Sequence, residues 1–327
     1  MIERLLIFEA DGFDPYINLA TEKFLLDAVT PGTCILYLWQ NQNTVVIGRN
    51  QNPWVECRTS LLEEEGGHLA RRLSGGGAVF HDLGNLNFTF LLSTDDYDVD
   101  RQLSVIQRAC TLAGISAEKS GRNDLLANGF KFSGNAFYNS KGKSYHHGTL
   151  LISADMDKLQ RYLSPSKAKL EAKGVASVRS RVINLQELSP TLTCHRMKTY
   201  MRQALEDVYG AKAKKIVLAD ADQTTINETA RMYGSWEYLY GTPLSCSFAC
   251  ETRFIWGQIH LELEVKGGII TASKVYSDAM DWTLPAAVEQ ALTGHMFRLE
   301  DMQNALLQAL PFQEAQDLIG LLSQQDI

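Results

Sequence analysis

The sequence predicts an α+β protein made of a large first unit and a small second one, on three observations. Amphipathic helical stretches alternate with strand-sized apolar runs through the larger part of the chain. GRNDLLANGFKFSGNAFYNSKGKSYHHGTLLIS reads as a three-stranded meander, turning at Asn128-Gly129 and, more loosely, at NSKGKS. Beyond Trp236 the pattern changes: QIHLELEV alternates with period two, two glycines turn the chain, IITASKV answers it and helical patterns fill the end. That change divides the 327 residues into a domain over 1–245 and a smaller one over 246–327, in keeping with roughly 100 to 200 residues per domain.

Each element has a local reason. Asp14-Pro15 opens the first helix as N-cap and first-turn proline, with Ile17, Ala20, Phe24 and Ala28 on one face. Ile35–Trp39 and Thr44–Ile47, joined by an Asn/Gln turn, predict a hairpin. Leu61–Glu65 is a helix end stopped by Gly66-Gly67. His68 to Leu92 reads as strand, glycine loop, strand, DLGN turn, strand. A helix over about Asp98–Ala113 carries Leu103, Ile106, Cys110 and Ala113 on one face, and a second lies around Met197–Tyr209, followed by a polar interval.

Composition excludes several classes. With 45% hydrophobic and 21% charged residues the chain matches ordinary folded proteins rather than disordered or coiled-coil ones. Its longest apolar runs are strand-sized, short of the roughly 18 residues that cross a bilayer, so no membrane association is expected. MIERLLIFEADGFDP has neither a basic leader nor a small-residue cleavage site, which argues against export. Thirty-one basic against 38 acidic residues, net −7, leave no broad footprint for nucleic acid, so any phosphate is held locally. The six scattered cysteines predict buried free thiols in a reducing cytoplasm.

Residues able to carry chemistry then stand out. Gly75-Gly76-Gly77 lacks Cβ atoms, so its backbone N–H groups can approach an anion, and Arg71 and Arg72 beside it supply guanidinium charge. It has neither the Lys-Ser/Thr of a Walker A loop nor Rossmann spacing. In FKFSGNAF, strand alternation sends Lys131 to the face opposite Phe130 and Phe132, into a cleft or into water. Asn123-Asp124 reads as a turn that could also hold Mg²⁺. His146 and His147, adjacent in a strand, point to opposite faces and cannot share one zinc ion; His81-Asp82 has no activated serine nearby in sequence, which removes support for a hydrolase triad. Between Arg161 and Arg181, six Lys or Arg stand against Glu171 alone, suggesting a basic loop over a polyanionic substrate.

In this order and spacing, RRLSGGGAVFHDLGNLNFTF, GRNDLL, KFSGNAF, HHGTLL and KLEAKGVASVRSRVINL resemble the lipoate-protein ligase A family, and the likeness continues through SWEYLYGTP into RFIWGQIHLELEVKGGIITASKV. The resemblance implies the α+β fold shared by biotin-protein ligases and class II aminoacyl-tRNA synthetases, a mixed sheet flanked by helices, with a small C-terminal α+β domain. It implies two reactions. Lipoate and Mg²⁺-ATP give lipoyl-AMP and pyrophosphate, then a lysine amine of an acceptor attacks the anhydride. The implied acceptors are lipoyl domains of 2-oxoacid dehydrogenase acyltransferase subunits and the glycine cleavage H protein. Carried over by motif, Arg72, Gly77, Ala78, Val79, Phe80 and Lys131 contact the nucleotide, and Arg72, Ser74, Gly75, Gly76, Gly77, Lys131 and His147 contact lipoate, with Lys131 catalytic. Asn123 and Asp124 correspond to the magnesium neighbourhood, and Ser164–Leu185, with Lys173, Gly174, Ser177, Arg179 and Arg181, to an adenylate-binding loop. Leu73 stands where some relatives carry a third arginine. The competing readings are an ATP-independent lipoyl or octanoyl transferase and a non-catalytic lipoate- or nucleotide-binding module.

Overall fold

The computed structural model describes residues 2–121, 124–163, 182–240 and 248–325. Its strands are β1 (Arg4–Glu9), β2 (Thr33–Trp39), β3 (Thr44–Ile47), β4 (His68–Arg71), β5 (Val79–His81), β6 (Asn85–Ser93), β7 (Glu118–Ser120), β8 (Asp124–Ala127), β9 (Phe130–Ser140), β10 (Lys143–Leu151), β11 (Ala213–Lys215), β12 (Phe248–Phe254), β13 (Gly257–Lys266) and β14 (Ile269–Ser277). The helices are α1 (Pro15–Ala28), α2 (Pro53–Glu56), α3 (Thr59–Glu64), α4 (Val99–Leu112), α5 (Met156–Tyr162), α6 (Leu185–Leu188), α7 (Cys194–Tyr209), α8 (Asp220–Tyr233), α9 (Trp236–Tyr240), α10 (Leu284–Leu292), α11 (Leu299–Ala309) and α12 (Phe312–Leu322). Among the described residues, none of these helices is long and apolar enough to cross a membrane.

The frame is the expected mixed sheet, ordered β11-β1-β2-β6-β10-β9-β8-β7. β11, β1 and β2 run parallel, and from β2 through β6 and β10 to β7 the pairing is antiparallel. β8, β9 and β10 form the predicted meander, and Asn128 and Gly129 both take positive φ, 51° and 80°, as a type I′ turn requires. The capping expectations also hold: Asp14 accepts from Tyr16 N and Ile17 N, and Asp98 from Arg101 N.

Alternation divides the sheet chemically. One face presents Leu36, Leu38, Phe88 and Phe90 to Leu103, Ile106 and Ala109 of α4 and to Met197, Met201 and Leu205 of α7. The other presents Ile35, Tyr37, Trp39 and Tyr145 to Leu19, Leu25 and Leu26 of α1 and to Ile226, Ala230 and Tyr233 of α8. The C-terminal sheet, ordered β12-β13-β14, has its own core in which Leu261, Leu263 and Val275 meet Val288, Leu306 and Leu318.

Three local expectations are corrected. β2 and β3 are not a hairpin: β2 lies inside the large sheet, whereas β3 lies between β4 and β5 in a separate three-stranded sheet. The Asn/Gln segment carries the chain from one sheet to the other, anchored by Asn18 Nδ2 to Gln40 O (2.9 Å) and Gln42 N to Phe13 O (3.1 Å). The polar interval after α7 holds β11 and α8, whose few apolar residues suffice because Ile226, Ala230 and Tyr233 fall on one face. α1 buries Asn18, Leu19, Glu22, Leu25 and Leu26, while Ala28 is exposed, so its inward face is rotated from the expected one and contains a carboxylate. The division near residue 245 falls outside the described residues.

Candidate functional site

The second face of the large sheet carries a polar floor. Trp39, Asn87 and Thr149 share one row across β2, β6 and β10, and Tyr37, Thr89 and His147 share the next. Glu22 descends onto it from α1, 1% exposed. Its Oε1 accepts from the Thr89 hydroxyl (2.7 Å) and from His147 Nδ1–H (2.9 Å), while Trp39 Nε1–H donates to Thr89 Oγ1 (3.1 Å). At the other end of the imidazole, the Ser74 hydroxyl donates to His147 Nε2 (2.8 Å), and Arg72 Nε donates to Ser74 Oγ (3.1 Å). A carboxylate this deep is tolerable because two donors satisfy it and a guanidinium belongs to the same network. Serine, histidine and glutamate thus stand in the order of a hydrolytic triad. Ser74 is nevertheless fully buried and its oxygen already accepts from Arg72, so the chain fastens the glycine loop to β10 rather than offering a nucleophile.

The two arginines organise that loop through carbonyl groups. Arg72 donates to Val46 O (3.1 Å), Gly75 O (2.7 Å) and Gly77 O (2.7 Å). Burial draws its pKa down to about 10, leaving it charged at neutral pH. Arg71 donates to the carbonyls of Arg49 (2.9 Å), Gln51 (2.8 Å), Tyr238 (3.1 Å) and Leu239. The expectation that Arg71 helps hold the anion is therefore corrected: it ties the 49–51 segment to α9. Gly76 sits at φ +87°, where a β-carbon is strained. Nor is its N–H an open anion donor in this structure, because it donates to Ala279 O of the C-terminal unit (3.1 Å). Trp282 closes the same seam, stacked on Tyr138 with ring centroids 5.0 Å apart and covered by the Arg49 guanidinium at 4.6 Å. Beyond Gly77, Ala78 and Val79 are half-buried, whereas Phe80 packs inward on the Tyr162 ring at 5.3 Å.

Lys131 occupies a break in alternation. β9 pairs Ser133 with Leu125 but Lys131 with Leu126, so a bulge at Phe132 shifts the register. Phe130 is accordingly exposed and Phe132 buried, correcting the expectation that both lie on one face. The lysine Nζ lies 3.3 Å from where a Gly134 β-carbon would stand, so the absent side chain makes its room. It forms an ion pair with Asp124 at 2.6 Å, both side chains about one-third exposed (36% and 34%). Gly134 N donates to Thr149 Oγ1 (3.3 Å), two residues along β10 from the histidine that anchors Ser74. Ile183 N donates to Lys131 O (2.9 Å), so the chain following the basic segment lands on this lysine. Asn123, Lys173, Gly174, Ser177, Arg179 and Arg181 lie outside the described residues.

His146 and His147 face opposite sides, as expected. His146 lies among amides on the α4 side, 3.0 Å from Gln102 Oε1 and 2.9 Å from Asn135 Oδ1, and burial holds its pKa down to about 3. Among the described residues no group of three or more His, Cys, Asp or Glu could hold a metal. Burial pushes the thiols of Cys34, Cys57 and Cys110 up to about 12 and those of Cys194 and Cys250 to about 11. Glu22, Trp39 and Thr89 were not anticipated from sequence; the strand carries a signal in the polar i, i+2 residues Asn85, Asn87 and Thr89 of otherwise apolar β6, whereas Glu22 lies off the helix face that the sequence predicts.

Residues 14–206 match the lipoyl protein ligase A/B catalytic domain, and residues 244–322 match the bacterial lipoate protein ligase C-terminus. LipL1 of P. falciparum, solved with lipoate, superimposes with TM-score 0.85 at 26% identity over 98% of this chain and 99% of its own. The bi-partite lipoate protein ligase of Thermoplasma acidophilum, described with its E2 lipoyl domain, gives TM-score 0.66 at 24% identity over 76% of this chain and all of its own (100%). A lipoate-protein ligase A bound with ATP gives 0.64 at 24% over 74% of this chain and 99% of that one. With the catalytic-domain match spanning more than half of its length, the chain belongs to the lipoyl protein ligase A/B family.

Proposed function

We propose that this chain activates lipoate with ATP and then acylates a protein lysine. A lipoate carboxylate oxygen attacks the α-phosphorus and pyrophosphate leaves; the acceptor amine then attacks the acyl carbon of lipoyl-AMP and AMP leaves. The observation that carries this reading is the partly exposed Lys131 ammonium in the space beside Gly134, on the sheet to which the glycine loop is fastened. Bringing carboxylate to phosphate joins two anions, and a fixed ammonium lowers that repulsion as charge shifts to the leaving group. Arg72 acts by holding Gly75 and Gly77 with their carbonyls inward, which turns the Gly77–Phe80 backbone toward nucleotide and acid.

Asp124 offers one carboxylate near the phosphates, which fits Mg²⁺ because that ion needs only one or two protein carboxylates when ATP brings phosphate oxygens. Bound there, it would neutralise and orient the phosphates. The basic segment with Lys173, Gly174, Ser177, Arg179 and Arg181 is assigned as a cover over the adenylate, supported by the landing of Ile183 on Lys131. Residues 1–245 are assigned to catalysis and 246–327 to an accessory domain. The acceptors are lipoyl domains of 2-oxoacid dehydrogenase acyltransferase subunits and the glycine cleavage H protein, and the free thiols suit the cytoplasm. A transferase using a cysteine acyl carrier is disfavoured, since no cysteine lies in the glycine, GRND, KFSGN or basic-loop motifs and four of the five described thiols are buried.

Lipoate-dependent ATP–pyrophosphate exchange without any acceptor tests this directly. Exchange that needs lipoate, followed by AMP release once a lipoyl domain is added, is expected; acyl transfer from a preformed donor with no exchange would contradict it.

A further inference from the structure

His81, at the end of β5, is held in one tautomer by a chain of amides. Its Nδ1 accepts from Asn41 Nδ2 (3.2 Å) and Asn87 Nδ2 (3.4 Å). Both amides are themselves oriented: Asn18 Nδ2 donates to Asn41 Oδ1 (3.0 Å), and Asn85 Nδ2 to Asn87 Oδ1 (2.9 Å). With Nδ1 an acceptor, the proton resides on Nε2. The ring is neutral throughout the physiological range, since burial, the Arg72 charge and His147 together draw its pKa to about 3. Among the described residues that Nε2–H, fully buried, has no hydrogen-bond partner. A buried donor left without an acceptor is costly, and one so firmly oriented is expected to meet a ligand atom.

The place of that atom follows from the sheet. His81 stands over Asn87 with its ring edge-on to Trp39, centroids 6.0 Å apart. Asn87 pairs with Thr149, which holds Gly134 beside the Lys131 ammonium. From Asn87 to Gly134 is therefore two strand spacings, about 10 Å, a span that an extended medium-chain acid covers. An acid with its carboxylate at Lys131 and its chain laid across the strands over Thr149 would bring its distal end to His81. For lipoate that end carries ring sulfurs, weak acceptors; for a plain fatty acid it carries only C–H.

We propose that His81 Nε2–H reads the sulfur-bearing end of the acyl chain and so selects lipoate over octanoate, an inference that rests on the lipoate-activating function above. A site with a fixed donor disfavours the analogue that leaves it unpaired. The test is pyrophosphate exchange by the full chain with (R)-lipoate and with octanoate, in wild type, His81→Leu and His81→Gln, the last retaining a donor at the Nε2 position. The ratio of kcat/KM values, lipoate over octanoate, should fall about tenfold in His81→Leu and stay largely intact in His81→Gln; general damage to the fold lowers both activities and leaves the ratio alone. In ¹⁵N-histidine spectra of the wild type without ATP, one Nε2–H signal, absent from His81→Gln, should move with lipoate and not with octanoate. An unchanged ratio in His81→Leu, or equal movement with both acids, overturns the proposal. Wild-type exchange with neither acid overturns the ligase reading instead, and the spectra then still decide whether His81 meets the sulfur end.

Discussion

His146 and His147 are adjacent in β10 yet inhabit different media, and the contrast between them is that between the two faces of the sheet. On the α4 and α7 side, His146 is a neutral ring clamped by two amides amid Phe88 and Phe90. On the α1 side, His147 links a buried carboxylate to the glycine loop through Ser74. The same strands therefore build both a dry core and a polar floor, selected by the period of two. Stability should reside mainly in the first and chemistry in the second.

The sharpest attack on that division is Lys131→Ala. Adenylate formation should fall by about 10³-fold, of the order seen when one charge-stabilising group is lost. The unfolding free energy should move by no more than about 1 kcal/mol, because the Asp124 ion pair is partly solvated. Phe90→Ala, on the dry face, should do the reverse, costing about 3–5 kcal/mol in urea unfolding while exchange per folded molecule stays normal. Equal losses of both properties in either variant would erase the distinction between faces.

Glu22→Gln removes the buried charge but keeps the shape, so His147 Nδ1–H loses its carboxylate acceptor and Arg72 its nearby counter-charge. About 1–3 kcal/mol of stability should go, with exchange down about tenfold. Acid unfolding probes the histidines. His81 and His146 are held near pKa 3, against about 6.5 in an unfolded chain. Below pH 6.5 the unfolded chain therefore takes up protons that the native chain refuses, and stability falls with pH by up to about 1.4 kcal/mol per unit for each ring. Urea midpoints measured from pH 6.5 to 5 should show that slope, reduced by about half in His146→Gln; a flat profile would mean that neither ring is refused its proton. Cys194→Ala should have the smallest effect, within about twofold in exchange, because its thiol is held protonated and donates to Leu83 O.

Much of the frame was legible in the sequence because it is written in local signals: Asp14-Pro15 as a cap, Asn128-Gly129 as a type I′ turn, period two in β13 and β14. The site was legible only in pieces. Lys131 stood out by its motif, but its orientation depends on a bulge that no alternation rule anticipates. Arg71 and Arg72 look alike in sequence, and only the fold shows one tying α9 to the 49–51 segment and the other holding the glycine loop. Glu22 lay off the expected helix face, and its partners Thr89 and His147 are 67 and 125 residues away. Long-range pairing of polar groups leaves no periodic trace.

The most direct measurement is a single-turnover reaction of excess full-length protein with α-³²P-labelled ATP and lipoate, acid-quenched and resolved for lipoyl-AMP. Wild type should accumulate the labelled adenylate and lose it as AMP when apo lipoyl domain is added, while Lys131→Ala forms it about 10³-fold more slowly despite a normal unfolding midpoint. Adenylate formed by Lys131→Ala at the wild-type rate, or lipoylation by wild type with no labelled adenylate at any time, would contradict the account.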